Sequence, residues 1–316
     1  MTIAWVLGSN GLLGSALHRE LRARGTALFI PSERLRWGRE PEVSFQITST
    51  IRAFAELAQM SARWEIYWAA GVGTMGSQTK ELEPETRVLL LLLTLIKTNQ
   101  YLAATPGSFA FASSAGAIYA GSEDDVINEK SVPVPINAYA LAKLEQENLI
   151  QSYLRNSNNI TALTARISTI YGAGQSDGKQ QGLITHIARS IVRNRPIQIY
   201  VPFDTIRDYI SADDVARVII SALRSSHSHQ IVTTKIVASE RPTTIAEIIS
   251  IFKRISRRRP LVVTSASGMG NLYSRRVQFR SIVAPTCTSL VKTSLVVGIA
   301  QVIAAEKDAF TRATFK

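Results

Sequence analysis

The chain has 316 residues, 46% of them hydrophobic and 19% charged, enough for one large domain or a main domain with a smaller lobe. A single cysteine, Cys287, excludes an internal disulfide and any cysteine-rich metal site, which suits a reducing cytoplasm. The net charge of +12 calls for a phosphate-bearing substrate, anionic lipid or nucleic acid, or it only solubilises the surface. With no zinc-finger spacing, no heptads after a basic helix and no RNP-type aromatic strand, no nucleic-acid partner is expected.

In chain order, "IAWVLG" (3–8) reads as a strand and "LLGSALHRELRARG" (12–25) as a helix with Leu13, Ala16, Leu17 and Leu21 on one face. "TALFIP" (26–31) is a second strand, "TIRAFAELAQM" (50–60) a helix, "EIYWAAG" (65–71) a strand and "PETRVLLLLLTLIKTNQYLAA" (84–104) a long helix. The apolar run 88–97 inside it, bracketed by Arg87 and Lys97, falls short of the ~20 residues a membrane span needs and reads as a buried helix. "SFAFASSAG" (108–116) is a strand, "INAYALAKLEQE" (136–147) a helix and "ITALTARISTIYG" (160–172) a strand. Apolar strands alternating with helices describe a parallel sheet covered on both faces.

After Gly172 the regularity loosens: a glycine-rich loop (172–182), a helix (183–194), then "DYISADDVARVIISAL" (208–223), a strand and a helix with Ser211 and Asp214 at capping-box spacing. The expected architecture is α/β. A Rossmann-like, doubly wound parallel sheet spans 1–171, with 207–235 returning to it, and 172–206 with 236–316 forms a smaller C-terminal substrate lobe. The basic stretches "KRISRRR" (253–259) and "YSRRVQFR" (273–280) fall in that lobe, and their role is unexplained. The start lacks the basic region and long apolar core of a signal peptide, so a cytoplasmic location is expected.

Two motifs carry chemistry. "GSNGLLG" places Gly8, Gly11 and Gly14 between the first strand and the first helix. Glycines there allow a tight turn and a close approach of backbone to a pyrophosphate at the helix's positive end. Tyr139 stands four residues before Lys143, so the two share a helix face. An ammonium beside a phenol favours phenolate, which fits the tyrosine to proton transfer. Asp213 and Asp214 read as a helix cap, and His227 and His229 lack further ligands, so no metal site is expected. Glu123, Asp124 and Asp125 read as an exposed loop.

These motifs, with "SSAGAIYA" (113–120), "WAAG" (68–71), "ARISTIYGAGQ" (165–175) and "RDYISADDVA" (207–216), together resemble the extended short-chain dehydrogenase/reductase family, specifically its nucleotide-sugar epimerases and dehydratases. The resemblance runs in order from residue 1 to about 223 and fades in the tail. It implies Tyr139 as acid/base and Lys143 as the holder of the nicotinamide ribose. It also implies a serine on the reacting oxygen: Ser114, with Ser113 the alternative, because the family's usual position is here Ala115. Gly8, Ser9, Asn10, Gly11, Leu12 and Gly14 would line the dinucleotide, with Ala69, Ala70 and Gly71 opposite. Thr169 replaces the family's sugar-binding asparagine, and Arg207 would meet the diphosphate, unless it pairs with Asp208 or Asp204. The family's dehydratases carry an Asp-Glu pair where this chain has Ala115, Gly116 and Ala117, which argues against a dehydratase and leaves epimerases and reductases. Dimerisation through the 86–96 helix and the Tyr139 helix is a further implication.

Cofactor choice turns on "FIPSERLRWG" (29–38). An acidic residue at the end of the second strand favours NAD through the ribose 2′-hydroxyl, the job Glu33 could do. Ser32 with Arg34 and Arg36 instead favours NADP through a 2′-phosphate. The sequence leaves NAD or NADP open. It also leaves open a ketoreductase on a non-nucleotide carbonyl, or a cofactor-binding scaffold without turnover.

Overall fold

The computed structural model describes residues 1–37, 39–71, 73–155, 157, 159–174, 182–225, 232–257, 260–264 and 276–314. The first half runs β1 (Thr2–Leu7), α1 (Leu12–Ala23), β2 (Ala27–Phe29), α2 (Glu40–Gln59), β3 (Arg63–Trp68), α3 (Thr79–Thr98), α4 (Gln100–Ala104) and β4 (Gly107–Ser114). Then come α5 (Ala115–Ile118), α6 (Ala138–Leu154), β5 (Ile160–Ile167), β6 (Thr169–Tyr171), α7 (Leu183–Val192), β7 (Ile197–Ile199), β8 (Ile206–Ser211), α8 (Ala212–Ser225) and β9 (Val232–Val237). The chain closes with β10 (Pro242–Thr244), α9 (Ile245–Ser256), β11 (Val262–Thr264) and α10 (Leu295–Thr314). Three sequence features fall wholly or partly outside the described residues: His227 with His229, the loop stretch 175–181, and the basic positions 258–259 and 273–275.

Six strands form an all-parallel sheet in the order β2-β1-β3-β4-β5-β9. This is the expected doubly wound α/β arrangement. Side chains alternate across each strand, so Trp5 of β1 faces one layer while Ala4 and Val6 face the other. The Trp5 face is deep and aromatic, with Trp64, Trp68, Phe109 and Phe111 packed under α2, α3 and α6. The Ala4 face is shallower and takes α1 and α8 through Leu17, Leu21, Val215 and Ile219. A third core joins α7, β7, α9 and α10 through Ile187, Ile199, Phe252 and Ile303.

The helix starts differ from expectation where caps override patterning. The second helix begins at Glu40, with Pro41 in its first turn and Val43, Ile47, Ile51, Phe54 and Ala58 buried along one stripe. Its β-branched first half hides that periodicity. The long apolar helix starts at Thr79, where Gln78 and Glu81 make a reciprocal capping box, so Pro84 lies inside it. It stops at Asn99, whose side chain accepts from the Tyr101 and Leu102 amides at 3.0 and 3.1 Å and opens α4. No helix among the described residues is long and apolar enough to cross a membrane.

The stretch 160–172, expected as one strand, divides at Ser168. β5 stays in the large sheet, whereas β6 pairs with β8 in a three-stranded sheet ordered β10-β8-β6. Asp208 fixes the division. Its buried carboxylate accepts from Ser168 Oγ at 2.6 Å, from Ser239 N and Oγ at 2.8 and 2.9 Å, and from Arg241 N at 3.1 Å. Among the described residues, 262–264 form β11, which pairs with β7 as a separate two-stranded ribbon.

Candidate active site

The strand order reverses at β1, which has β2 on one side and β3 on the other, and that opens a crevice at their carboxyl ends. The chain leaves β1 there through Gly8, at φ +81°, a backbone region that glycine enters without strain. A Cβ on Gly8 would stand 2.6 Å from the Ala69 carbonyl oxygen and 2.7 Å from Ala70 Cα. One on Gly14 would stand 2.1 Å from the Gly8 carbonyl oxygen. The turn therefore sits against both α1 and the end of β3, bringing Gly8, Gly14, Ala69 and Ala70 together. The N-cap of α1 is Gly11, which has no side chain to cap the first amides, and no acidic residue stands in the first turn. Unanswered amides at a helix's positive end are what a pyrophosphate requires, so the residues fit that group. Ser9, Asn10 and Leu12 complete the turn at partly or fully exposed positions.

Beyond β2, the Ser32, Glu33 and Arg34 side chains are exposed. Glu33 accepts from Gln46 Nε2 at 3.3 Å, and Arg36 pairs with Glu42 at 3.0 Å. Arg34 has no ion pair among the described residues; only its backbone carbonyl is used, by Gln46.

The second half of the site is built by β4 and α6. Asn137 caps α6 by accepting from the Ala140 amide at 2.9 Å, which sets Tyr139 in the first turn and Lys143 one turn on. The Lys143 ammonium is buried, 5.8 Å from the Tyr139 ring centroid and 5.0 Å from that of Phe111. It donates to Glu85 Oε1 at 2.8 Å and to Gln146 Oε1 at 3.0 Å. Gln146 in turn donates to Thr86 Oγ1 at 3.1 Å. Gly73 packs on the tyrosine, where a Cβ would stand 3.0 Å from Tyr139 Cδ2. Burial pushes the Tyr139 phenol above its ordinary value, and Glu85 adds to that, while Lys143 and the Ser114 hydroxyl oppose it. Burial acts against the charged form of Lys143, yet Glu85 and the other acidic neighbours hold it above the ordinary ammonium value.

The two serines part company here. Ser113 is buried and donates to Glu147 Oε1 at 2.6 Å; Arg166 answers the same carboxylate through Nη2 at 2.6 Å and Nε at 3.1 Å. Ser114, at the end of β4, faces Tyr139 and accepts from the Ala117 amide at 3.3 Å. Ser114 pairs in register with Ile167, and Thr169 opens β6 two residues later. Arg207 lies on β8 against Thr243 of β10, with Nη1 donating to the Ile206 carbonyl at 2.9 Å. Patterning did not find Glu85, Thr86, Gln146 or Gly73; Glu85 stands among Glu81, Glu83 and Arg87 in the polar first half of its helix, where nothing local marks it out. Among the described residues, no three His, Cys, Asp or Glu side chains gather as a metal site would require.

A family model described as the NAD dependent epimerase/dehydratase family matches residues 4–233. Over 113 residues, 36% of this chain and 35% of the relative, the sequence is 31% identical to the dTDP-4-dehydro-6-deoxyglucose reductase of Escherichia coli. The chain spans less than half the length of the curated relatives it matches, for example 42% of the UDP-glucuronate 4-epimerase of Thermodesulfobacterium geofontis, at 27% identity over 45% of this chain. In fold it is similar to the UDP-glucose 4-epimerase of Thermotoga maritima solved with UDP-glucose, at TM-score 0.77, 19% identity and 100% coverage of both chains.

Proposed function

Because the chain belongs to the NAD dependent epimerase/dehydratase family, we propose that it is an NAD(P)-dependent epimerase or reductase acting on a nucleotide sugar. The observation that supports this is that the glycine turn packs against the end of β3, and that Ser114, at the end of the neighbouring strand β4, lies beside Tyr139 with Lys143, all at the carboxyl end of one parallel sheet. When bound, the dinucleotide supplies or accepts a hydride at a sugar carbon. Tyr139 exchanges a proton with the sugar oxygen, and Ser114 hydrogen-bonds that oxygen as it changes between hydroxyl and carbonyl. Lys143 holds the ribose, and Gly71 lines the dinucleotide beside Ala69 and Ala70.

Thr169 and Arg207, on neighbouring strands, would face the sugar and its diphosphate; a guanidinium fork suits phosphate geometry. The rival reading is an ordinary ion pair of Arg207 with Asp208 or Asp204; of these, the Asp208 carboxylate already accepts from Ser168, Ser239 and the Arg241 amide. NADP is favoured over NAD by Arg34, whose neighbours Glu33 and Arg36 are engaged with α2. A cytoplasmic homodimer belongs to the same reading. Leu141 is 56% exposed on α6, and the adjacent α3 leaves Leu90 and Leu91 partly uncovered.

The test is to assay Tyr139→Phe on nucleotide-sugar ketones and alcohols, and to identify by mass any dinucleotide released on denaturation. The variant is expected to keep its fold and dinucleotide binding while losing about 10³-fold in kcat. Unchanged turnover would sink the assignment.

A further inference from the structure

Lys143 and Glu85 are a buried ion pair that joins two helices at the floor of the site. Their side chains are 6% and 4% exposed, at a separation of 2.8 Å. Glu85 reaches this point from α3, below the end of β3: a Cβ on Gly71 would stand 3.5 Å from both of its carboxylate oxygens. The nearby acidic side chain on α6 itself, Glu147, is matched by Arg166 of β5 and by Ser113. Glu85 is thus the carboxylate that answers the Lys143 charge. Around Tyr139 the charged neighbours are Lys143 on its own helix and Glu85 from α3, and Ser114 contributes a neutral hydroxyl from β4.

An ammonium favours phenolate only to the extent that its charge is uncompensated at the phenol. We propose that Glu85 is a positioning residue that neutralises Lys143 and keeps Tyr139 a phenol, presetting the site to donate a proton and so to reduce a ketone. The proposal rests on the functional reading above and narrows it. In the reducing direction the carbonyl carbon gains hydride from the reduced dinucleotide, and the C=O π pair takes the Tyr139 proton. The products are an alcohol, the oxidised dinucleotide and a Tyr139 phenolate that solvent reprotonates. In the opposite direction the alcohol proton would need a phenolate to receive it, which the Glu85 charge disfavours.

The tyrosinate absorbance of the free protein, with that of Tyr139→Phe subtracted, reads the Tyr139 midpoint without substrate or dinucleotide. Glu85→Gln is expected to lower that midpoint by about one unit or more, and Glu85→Asp, which keeps the charge, to hold it near wild type. The double variant Glu85→Gln/Lys143→Gln removes both charges and should return the midpoint to within about half a unit of wild type. That comparison carries the test if Glu85→Gln fails to fold. In turnover, Glu85→Gln should lose ketone reduction, relative to wild type, as pH rises past its lowered midpoint. A midpoint that stays put or rises in Glu85→Gln, or a double variant displaced by more than a unit, overturns the proposal. A shifted midpoint in a protein inert towards every nucleotide-sugar ketone would overturn the functional reading instead, and leave the charge balance standing.

Discussion

The hydroxyl of Ser113 is spent on Glu147 at 2.6 Å, inside a buried network that also holds Arg166 and Tyr119. Ser114, one residue on, ends β4 as the N-cap of α5 and meets Tyr139, which lies two turns before Glu147 on α6. Their substitutions should therefore fail in different ways. Ser114→Ala is expected to lower kcat/KM by about 10²-fold with the melting temperature little changed. Ser113→Ala should keep turnover within about threefold but cost about 1–3 kcal/mol of stability by leaving Glu147 a buried bond short. Chemical denaturation and steady-state kinetics on the two variants decide this, and the reverse pattern would reassign the serine. Adjacency in sequence left the two open; their different partners along α6, Glu147 for Ser113 and Tyr139 for Ser114, separate them.

At the level of elements, the glycine turn works because two backbones approach through it. Gly14 lies in the first turn of α1 with its Cα against the Gly8 carbonyl, so even a methyl group has no space there. Gly14→Ala should push α1 off β1, costing more than about 2 kcal/mol and abolishing dinucleotide binding. Gly116→Ala, where a Cβ meets nothing within 4 Å, serves as the control and should leave stability unchanged or slightly raised. Thermal unfolding and binding calorimetry on the pair give the answer; a stable, binding-competent Gly14→Ala would mean that the turn is not a close-approach device. The strand-turn-helix itself was legible, because glycine spacing and flanking periodicity are local. The breaks at Asn99 and Ser168 were not: each is fixed by what its side chain bonds, Asn99 to the amides of α4 and Ser168 to Asp208 on another strand.

For the whole molecule, burial of titratable groups sets a pH window. Tyr67, Tyr119, Tyr139, Tyr171 and Tyr209 are all raised above the ordinary 10.0 by burial, Tyr209 to about 12. A phenol raised in the fold keeps a proton that the unfolded chain has already lost. Stability therefore falls as pH climbs through about 10 towards the folded values. His18 and His186 are lowered from 6.5 by burial and by neighbouring arginines. There the unfolded chain binds protons first, so stability also falls as pH drops below about 6.5. The melting temperature is expected to be flat from about pH 7 to about 9.5 and lower on either side. A midpoint still rising at about pH 10.5 would contradict this account.

The sequence by itself determined the class of fold, the order of the first five strands of the large sheet and the main helices between them, the glycine turn and the Tyr139–Lys143 pair. Each of these is written in periodicities or spacings only a few residues long. Only the tertiary structure decided which serine faces the tyrosine, where the strand after α6 divides, and that Glu85 lies against Lys143. That last contact joins residues 58 apart in sequence, on two helices whose packing depends on the whole aromatic face of the sheet beneath them. A charge balance made across such a distance has no local signature, because it arises only once the sheet has brought both helices to the same edge.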